Sequence, residues 1–146
     1  VVKNAGGQLK VYSADIPSFH ERTNIKTEHD LGLELTQKCM SEAPEITGLV
    51  AINDMVAYGV MDAVLSAGFK IPDDYSICAF DNIYPSSFAP ISLTSIDHFI
   101  AEKGQSALRL LLQQTQGSAA SKYGITRVTF ESRLIKRNST GPVRKS

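Results

Sequence analysis

The sequence has no tryptophan, only two cysteines and three histidines, and no excess of either charge. Each shortage removes a class of function. Fifteen basic residues balance fifteen acidic ones, so no strongly basic face exists to hold a phosphate backbone unaided. Cys39 and Cys78 show neither CxxC spacing nor a partnering histidine, and read as free, buried thiols rather than a disulfide or a metal site. His20, His29 and His98 are scattered without ligand spacing, so neither a metal nor a cofactor is expected. The chain carries no GxSxG, P-loop, GxGxxG or HExxH pattern, and no nucleophile, base and orienting group fall together. There is no signal-peptide pattern and no apolar run long enough to span a bilayer, so no membrane partner is expected. The acidic pairs Asp73-Asp74 and Glu28/Asp30 suit turns and helix starts, where carboxylates bond nearby backbone.

What the sequence does hold is a core. With 42% hydrophobic residues in 146, the chain suffices for one domain. Its centre is the stretch 47–81, TGLVAINDMVAYGVMDAVLSAGFKIPDDYSICAFD. Residues 48–52 read as a buried strand, 55–67 as an amphipathic helix stopped by Gly68, and 75–80 as a second buried strand. Two short, continuous apolar runs joined by a helix predict parallel strands in an α/β fold with helices on both faces of the sheet. A right-handed crossover brings both C-terminal strand ends to one edge, where open α/β sheets bind ligands. Asn53 and Asp81 follow those two ends. A carboxamide both donates and accepts hydrogen bonds, and a carboxylate accepts. Each residue also has a purely structural use, Asn53 as a helix cap and Asp81 as an acceptor for amides of the next loop.

Around this unit, residues 9–13 (LKVYS) alternate as a strand whose end places Asp15 at the same edge, with a solvent loop as its other reading. Residues 16–30 are polar and aperiodic, and 31–40 form a helix. Residues 83–92 (IYPSSFAPIS) set Tyr84 and Phe88 on a proline-rich loop, where they are either covered by a partner or folded back as local core. Asp97 caps a helix over 99–114 with an apolar stripe through Ile100, Leu108, Leu111 and Leu112, and 123–131 alternate as a closing strand. Residues 133–146 hold five basic residues and no acid and read as a solvated end.

The stretch AINDMVAYGVMDAVLSAGFKIPDDYSICAFDN resembles the effector-domain signature of the LacI/GalR transcriptional repressors, roughly NDxxAxGxxxAxxxxGxxxPxDxSxxGFDD. Asn53, Asp54, Ala57, Gly59, Ala63, Gly68, Pro72, Asp74, Ser76, Phe80 and Asp81 match it, while Ala79 and Asn82 depart from it. ISLTSI at 91–96 resembles the family's PPLTTI segment, and LIKRNST at 134–140 its closing LIxRxST. Three segments in order make a specific signal, covering roughly residues 8–140.

The resemblance implies the C-terminal part of a periplasmic-binding-protein-like effector domain. The organisation expected is a subdomain core over 1–96, a crossover helix over 97–117 belonging with the other subdomain, closing strands over 122–137 and a basic flexible tail over 138–146. The chain is too short for a whole repressor, and operator DNA would be met only through a headpiece that this sequence does not contain. By alignment, Thr27, His98 and Ile100 join Asn53, Asp81 and Asp15 as candidates to contact a small carbohydrate effector. Tyr58, Met61, Asp62, Ser87, Phe88 and Ala89 form the candidate homodimer interface. The implied mechanism is a two-state switch in a cytoplasmic repressor, in which effector shifts the equilibrium by its differential affinity for the two states. A periplasmic sugar-binding protein of the same fold and a small flavodoxin-like enzyme are the alternatives. The LIKRNST ending disfavours the first, and the missing catalytic set disfavours the second.

Overall fold

A computed structural model of the chain describes residues 7–14, 27–88, 90–115 and 126–143. Helix α1 (Glu28–Glu42) leads into strand β1 (Gly48–Val50), helix α2 (Asp54–Ser66), strand β2 (Ser76–Phe80), a 3-10 turn (Tyr84–Ser87), strand β3 (Thr94–Asp97), helix α3 (Ile100–Thr115) and strand β4 (Arg133–Ile135). The sheet runs β1-β2-β3-β4. Its first three strands are parallel and β4 returns antiparallel on β3. The strand, helix, strand unit predicted from periodicity is present, with β1 ending two residues earlier than expected.

Local sequence explains the central helix. Asn53, in extended backbone, accepts the Val56 N–H at 2.8 Å through Oδ1 and so satisfies one of the open donors of the first turn of α2. At the other end Gly68, at φ +84°, turns the chain out of the helix. Between these ends, Ala57, Val60, Met61 and Val64 are buried in one cluster with Ile77 and Ala79 of β2 and Leu93. Register puts Leu49 and Ile77 on one sheet face, followed by Ala79 with Ser95, and this is the face that α2 covers. Helix α1 packs on α2 through two glycines, Gly32 against the Val56 carbonyl and Gly59 against the His29 carbonyl.

The other sheet face is more open among the described residues. Val50 is 73% exposed and Leu134 58%, and the row Phe80, Ile96, Leu134 crosses three strands. Among the described residues no helix seats on it. Helix α3 has no buried residue, so the stripe through Ile100, Leu108, Leu111 and Leu112 stands open.

Three other expectations change. Residues 9–13 join no ladder, and Leu9 and Val11 are exposed; the segment is tied instead by the Lys10–Glu45 ion pair at 2.8 Å. Among the described residues of the closing stretch, 126–137, only Arg133–Ile135 is a strand, because pairing with β3 stops at Arg133; residues 122–125 lie outside the described residues. The start of the expected flexible tail is fixed. Ser139 is fully buried, its Oγ donating to the Ile77 carbonyl at 2.6 Å and accepting the Thr94 N–H at 2.8 Å. A small hydroxyl that both donates and accepts can close the end of a sheet in this way, which charge counting does not detect.

Candidate functional site

The C-terminal ends of β1, β2 and β3 meet at one edge, and the backbone there is tightly specified. Asn53 and Asp81 each lie three residues beyond a paired position, Val50 with Cys78. The two parallel strands therefore carry them to one level of the edge. Oδ1 of Asn53 is spent on the α2 cap. Its carboxamide nitrogen, a two-hydrogen donor, has no protein partner among the described residues. Ile52, 78% exposed, and Phe80 flank the pair as apolar surface.

Asp81 sits at φ +108° and Asn82 at φ +52°, a left-handed region that side chains rarely occupy and that surrounding bonds must impose. Those bonds are present. The Asp81 N–H reaches the Ile96 carbonyl at 3.0 Å, and the Asn82 N–H reaches Ser95 Oγ at 3.0 Å. The Arg137 guanidinium donates to the Asn82 side-chain carbonyl and to the Leu93 carbonyl, each at 2.6 Å.

Beneath the edge lies Asp54, fully buried at the first turn of α2. Its carboxylate accepts Ser95 Oγ at 2.6 Å, Ser86 Oγ at 2.5 Å and the Ile83 N–H at 2.9 Å. Because the Ser86 proton is used there, Tyr58 is the donor in its 2.9 Å contact with Ser86 Oγ. One carboxylate thus joins α2, β3 and the 82–88 loop, aided by the helix N-terminus. Sequence reasoning gave Asp54 no such part, although an acid directly after an N-cap asparagine was the available signal. Burial, and second to it the Asp54 carboxylate, push the Cys78 thiol above its ordinary range. Burial does the same at Cys39. Both thiols are free, Cys39 buried and Cys78 only half-buried where the sequence suggested burial.

His98 joins Asp81 directly, Nε2 to Oδ1 at 2.9 Å, and Lys103 Nζ lies 3.0 Å from His98 Nδ1. Asp81 and His98 are therefore in direct contact, while Asn53 follows the neighbouring strand as the α2 cap; all three are half-buried. Thr27 serves as the N-cap of α1 in a capping box with Asp30. The Thr27 hydroxyl and amide hold the Asp30 carboxyl below its usual range, so the stability from that contact is present at neutral pH and fades as pH falls through the carboxylate range. Ile100 begins α3 and is exposed. Asp15 lies outside the described residues.

Of the candidate interface residues, Tyr58 is half-buried, and Asp62 is exposed and bonded to His29 Nε2 at 2.8 Å. Ser87 donates to the Tyr84 carbonyl. Tyr84 and Phe88 stack edge to face at 4.8 Å while remaining 82% and 61% exposed. Neither folds back as core. Met61 is a correction: at 5% exposure it packs inside the core cluster, since its position on α2 faces the sheet, and it offers no surface to a partner. Ala89 lies outside the described residues. Two hollows of about 80 and 150 Å³ occur at the opposite end of the sheet, around Thr47, Asp74, Tyr75 and Gly141. They hold none of the candidate residues. Among the described residues no cluster of His, Cys, Asp or Glu could hold a metal, and no helix is long and apolar enough to cross a membrane.

Comparison with known proteins gives the same geometry a lineage. The model of the periplasmic binding protein-like domain matches residues 2–140. The chain is 32% identical, over 86% of its length, to a ribose operon repressor of Halalkalibacterium halodurans, of which it covers 38%. It is 32% identical over 60% of its length to the HTH-type transcriptional repressor PurR of Mannheimia succiniciproducens, covering 26% of that protein. Among solved structures, a LacI family transcriptional regulator from Enterococcus faecium with bound ribose superposes at a TM-score of 0.69 and 34% identity, over 80% of this chain and 42% of that one. The chain thus spans between a quarter and two fifths of the length of these repressors. On the matched domain, the shared sheet and the relatives found, this chain belongs to the periplasmic binding protein-like domain family, among relatives that are LacI-type transcriptional regulators.

Proposed function

We propose that the chain is part of a sugar-responsive transcriptional repressor and that the edge bearing Asn53, Asp81 and His98 is one wall of its effector site. The observation that carries this reading is the pairing of an unspent carboxamide donor on Asn53 with the Asp81 carboxylate at neighbouring strand ends. A polyol presents hydroxyls that both donate and accept, and burying them without partners costs binding energy. The likeness to a ribose operon repressor and to a ribose-bound regulator makes a neutral sugar the effector class to test first. In this reading the protein is cytoplasmic and not an enzyme, uses no cofactor, and meets operator DNA through a headpiece outside this sequence. The organisation proposed is a subdomain core with α3 as the crossover helix.

The test is a thermal-shift series of the chain with ribose, arabinose, lactose and cellobiose. At least one sugar at tens of millimolar raises Tm, as mass action requires of a ligand that binds only the folded state. Asp81→Asn, which removes the charge at nearly constant shape, weakens that effect by about tenfold or more, the loss of one charge-assisted hydrogen bond. Equal shifts in parent and variant would remove Asp81 from the site.

The exposed Tyr84–Phe88 pair beside Tyr58 and Asp62 is proposed as the homodimer surface, since large exposed aromatics on one loop mark contact sites. Sedimentation equilibrium is expected to give a concentration-dependent dimer for the parent and a folded monomer for Phe88→Asp; unchanged association in the variant contradicts the assignment.

A further inference from the structure

We propose that Lys103 is a positioning residue for this edge. Its ammonium fixes the His98 ring in the tautomer that carries its proton on Nε2, aimed at Asp81. The inference rests on the effector reading above for its consequence, but the lock itself is a property of three side chains.

Lys103 Nζ lies 3.0 Å from His98 Nδ1, and His98 Nε2 lies 2.9 Å from Asp81 Oδ1. An ammonium only donates and an ionised carboxylate only accepts. A neutral imidazole satisfies both neighbours in one arrangement, with Nδ1 bare toward Lys103 and Nε2–H donating to Asp81. The opposite tautomer sets N–H against ammonium and a lone pair against carboxylate, so both contacts become repulsive. The two ring nitrogens of a histidine are distinct, and the bond made by one decides the state of the other.

The backbone holds this arrangement. Phe99, between His98 and α3, sits at φ +59°, with its N–H on Asp97 Oδ1 at 2.9 Å and its ring 5.7 Å under the Arg133 guanidinium. The Lys103 N–H returns to the Phe99 carbonyl at 2.9 Å, which places Lys103 one turn into α3, with its Nζ within reach of His98 Nδ1. The result for a ligand is definite. Asp81 Oδ1 is occupied, and Oδ2 is the acceptor left for a hydroxyl, beside a histidine that is itself about 30% exposed at the edge. The three groups together carry no net formal charge, which suits a neutral polyol.

The test reads the ring directly. Long-range ¹⁵N–¹H correlation spectra of the labelled chain are recorded at about pH 8.5, some two units above the ordinary histidine value of about 6.5, so that imidazoles are neutral. The His98 signal is assigned by its loss in His98→Gln. In Asp81→Asn the carboxylate no longer dictates the tautomer, because an amide can donate or accept. His98 is expected to remain wholly Nε2-protonated there, to become a mixture of tautomers in Asp81→Asn with Lys103→Met, and to return to one tautomer with Lys103→Arg. A mixture already in Asp81→Asn overturns the proposal, since Asp81 alone would then set the ring. If Asp81→Asn does not fold, Lys103→Met alone decides: the bare Nδ1 resonance moves if Lys103 bonds it and stays if it does not. Titration of the same samples with ribose, arabinose, lactose and cellobiose separates the two ideas. A locked ring with no sugar binding in the parent defeats the effector reading and leaves the lock, whereas sugar binding with an unlocked ring does the reverse. Where both hold, Lys103→Met weakens sugar binding severalfold and Lys103→Arg does not.

Discussion

Replacing Asp54 with alanine lowers stability by roughly 3–5 kcal/mol, leaving buried donors without their acceptor. Ser86 Oγ, Ser95 Oγ and the Ile83 N–H all point at this one carboxylate, which has no contact with solvent. A domain of this size has about 5–15 kcal/mol to lose, so Asp54→Ala is largely unfolded in mild denaturant. Asp54→Asn is gentler, and the reason is chemical. The amide oxygen still accepts from Ser95, and the Ser86 hydroxyl can rotate to accept from the amide nitrogen, but the Ile83 N–H cannot reverse its role. About half of the loss is therefore expected. Urea titration of the two variants checks this. Midpoints for Asp54→Ala close to the parent's would show that the hub contributes nothing.

Gly59→Ala is the second large effect. A methyl group built on Gly59 falls 1.9 Å from the His29 carbonyl oxygen, and one on Gly32 falls 2.1 Å from the Val56 carbonyl oxygen. Both obstacles are backbone, so no rotamer change relieves them. The two helices must separate along the whole seam, which costs more than an ordinary overpacked side chain at about 1–3 kcal/mol. The expected loss is about 3 kcal/mol for Gly59→Ala, with Gly32→Ala similar. Because the two glycines serve one seam, the double variant costs less than the sum, as coupled sites do. An alanine at either position that leaves the urea midpoint unchanged would mean that α1 and α2 do not cross this closely in solution.

The helices and the shared C-terminal edge of the strands were legible in the sequence for different reasons. Periodicity is a local property, and the apolar spacing of 55–67 between Asn53 and Gly68 specifies α2 without outside help. The edge followed from a topological rule, since parallel strands must end together. Long-range polar bonds were not legible. Ser139 binds β2 and β3 from more than forty residues away, Arg137 reaches back to Asn82, and Lys103 approaches His98 only because Phe99 turns the chain. Serine and lysine carry no sequence sign that separates such uses from solvation. Met61 shows the converse: a motif assigned it to a surface, and the pitch of α2 turns it inward.

The central claim is that the C-terminal edge meets a sugar. Amide chemical-shift mapping of the labelled chain during titration with ribose, arabinose, lactose and cellobiose tests it most directly, because it locates weak contact without requiring a closed cleft. Saturable shifts centred on Asn53, Asp81 and His98 are the expected result. Saturable shifts confined to the hollows around Thr47, Asp74 and Gly141, or none at any position with any of the four sugars up to about 100 mM, a concentration that detects binding far weaker than the millimolar level of about −4 kcal/mol, would contradict it.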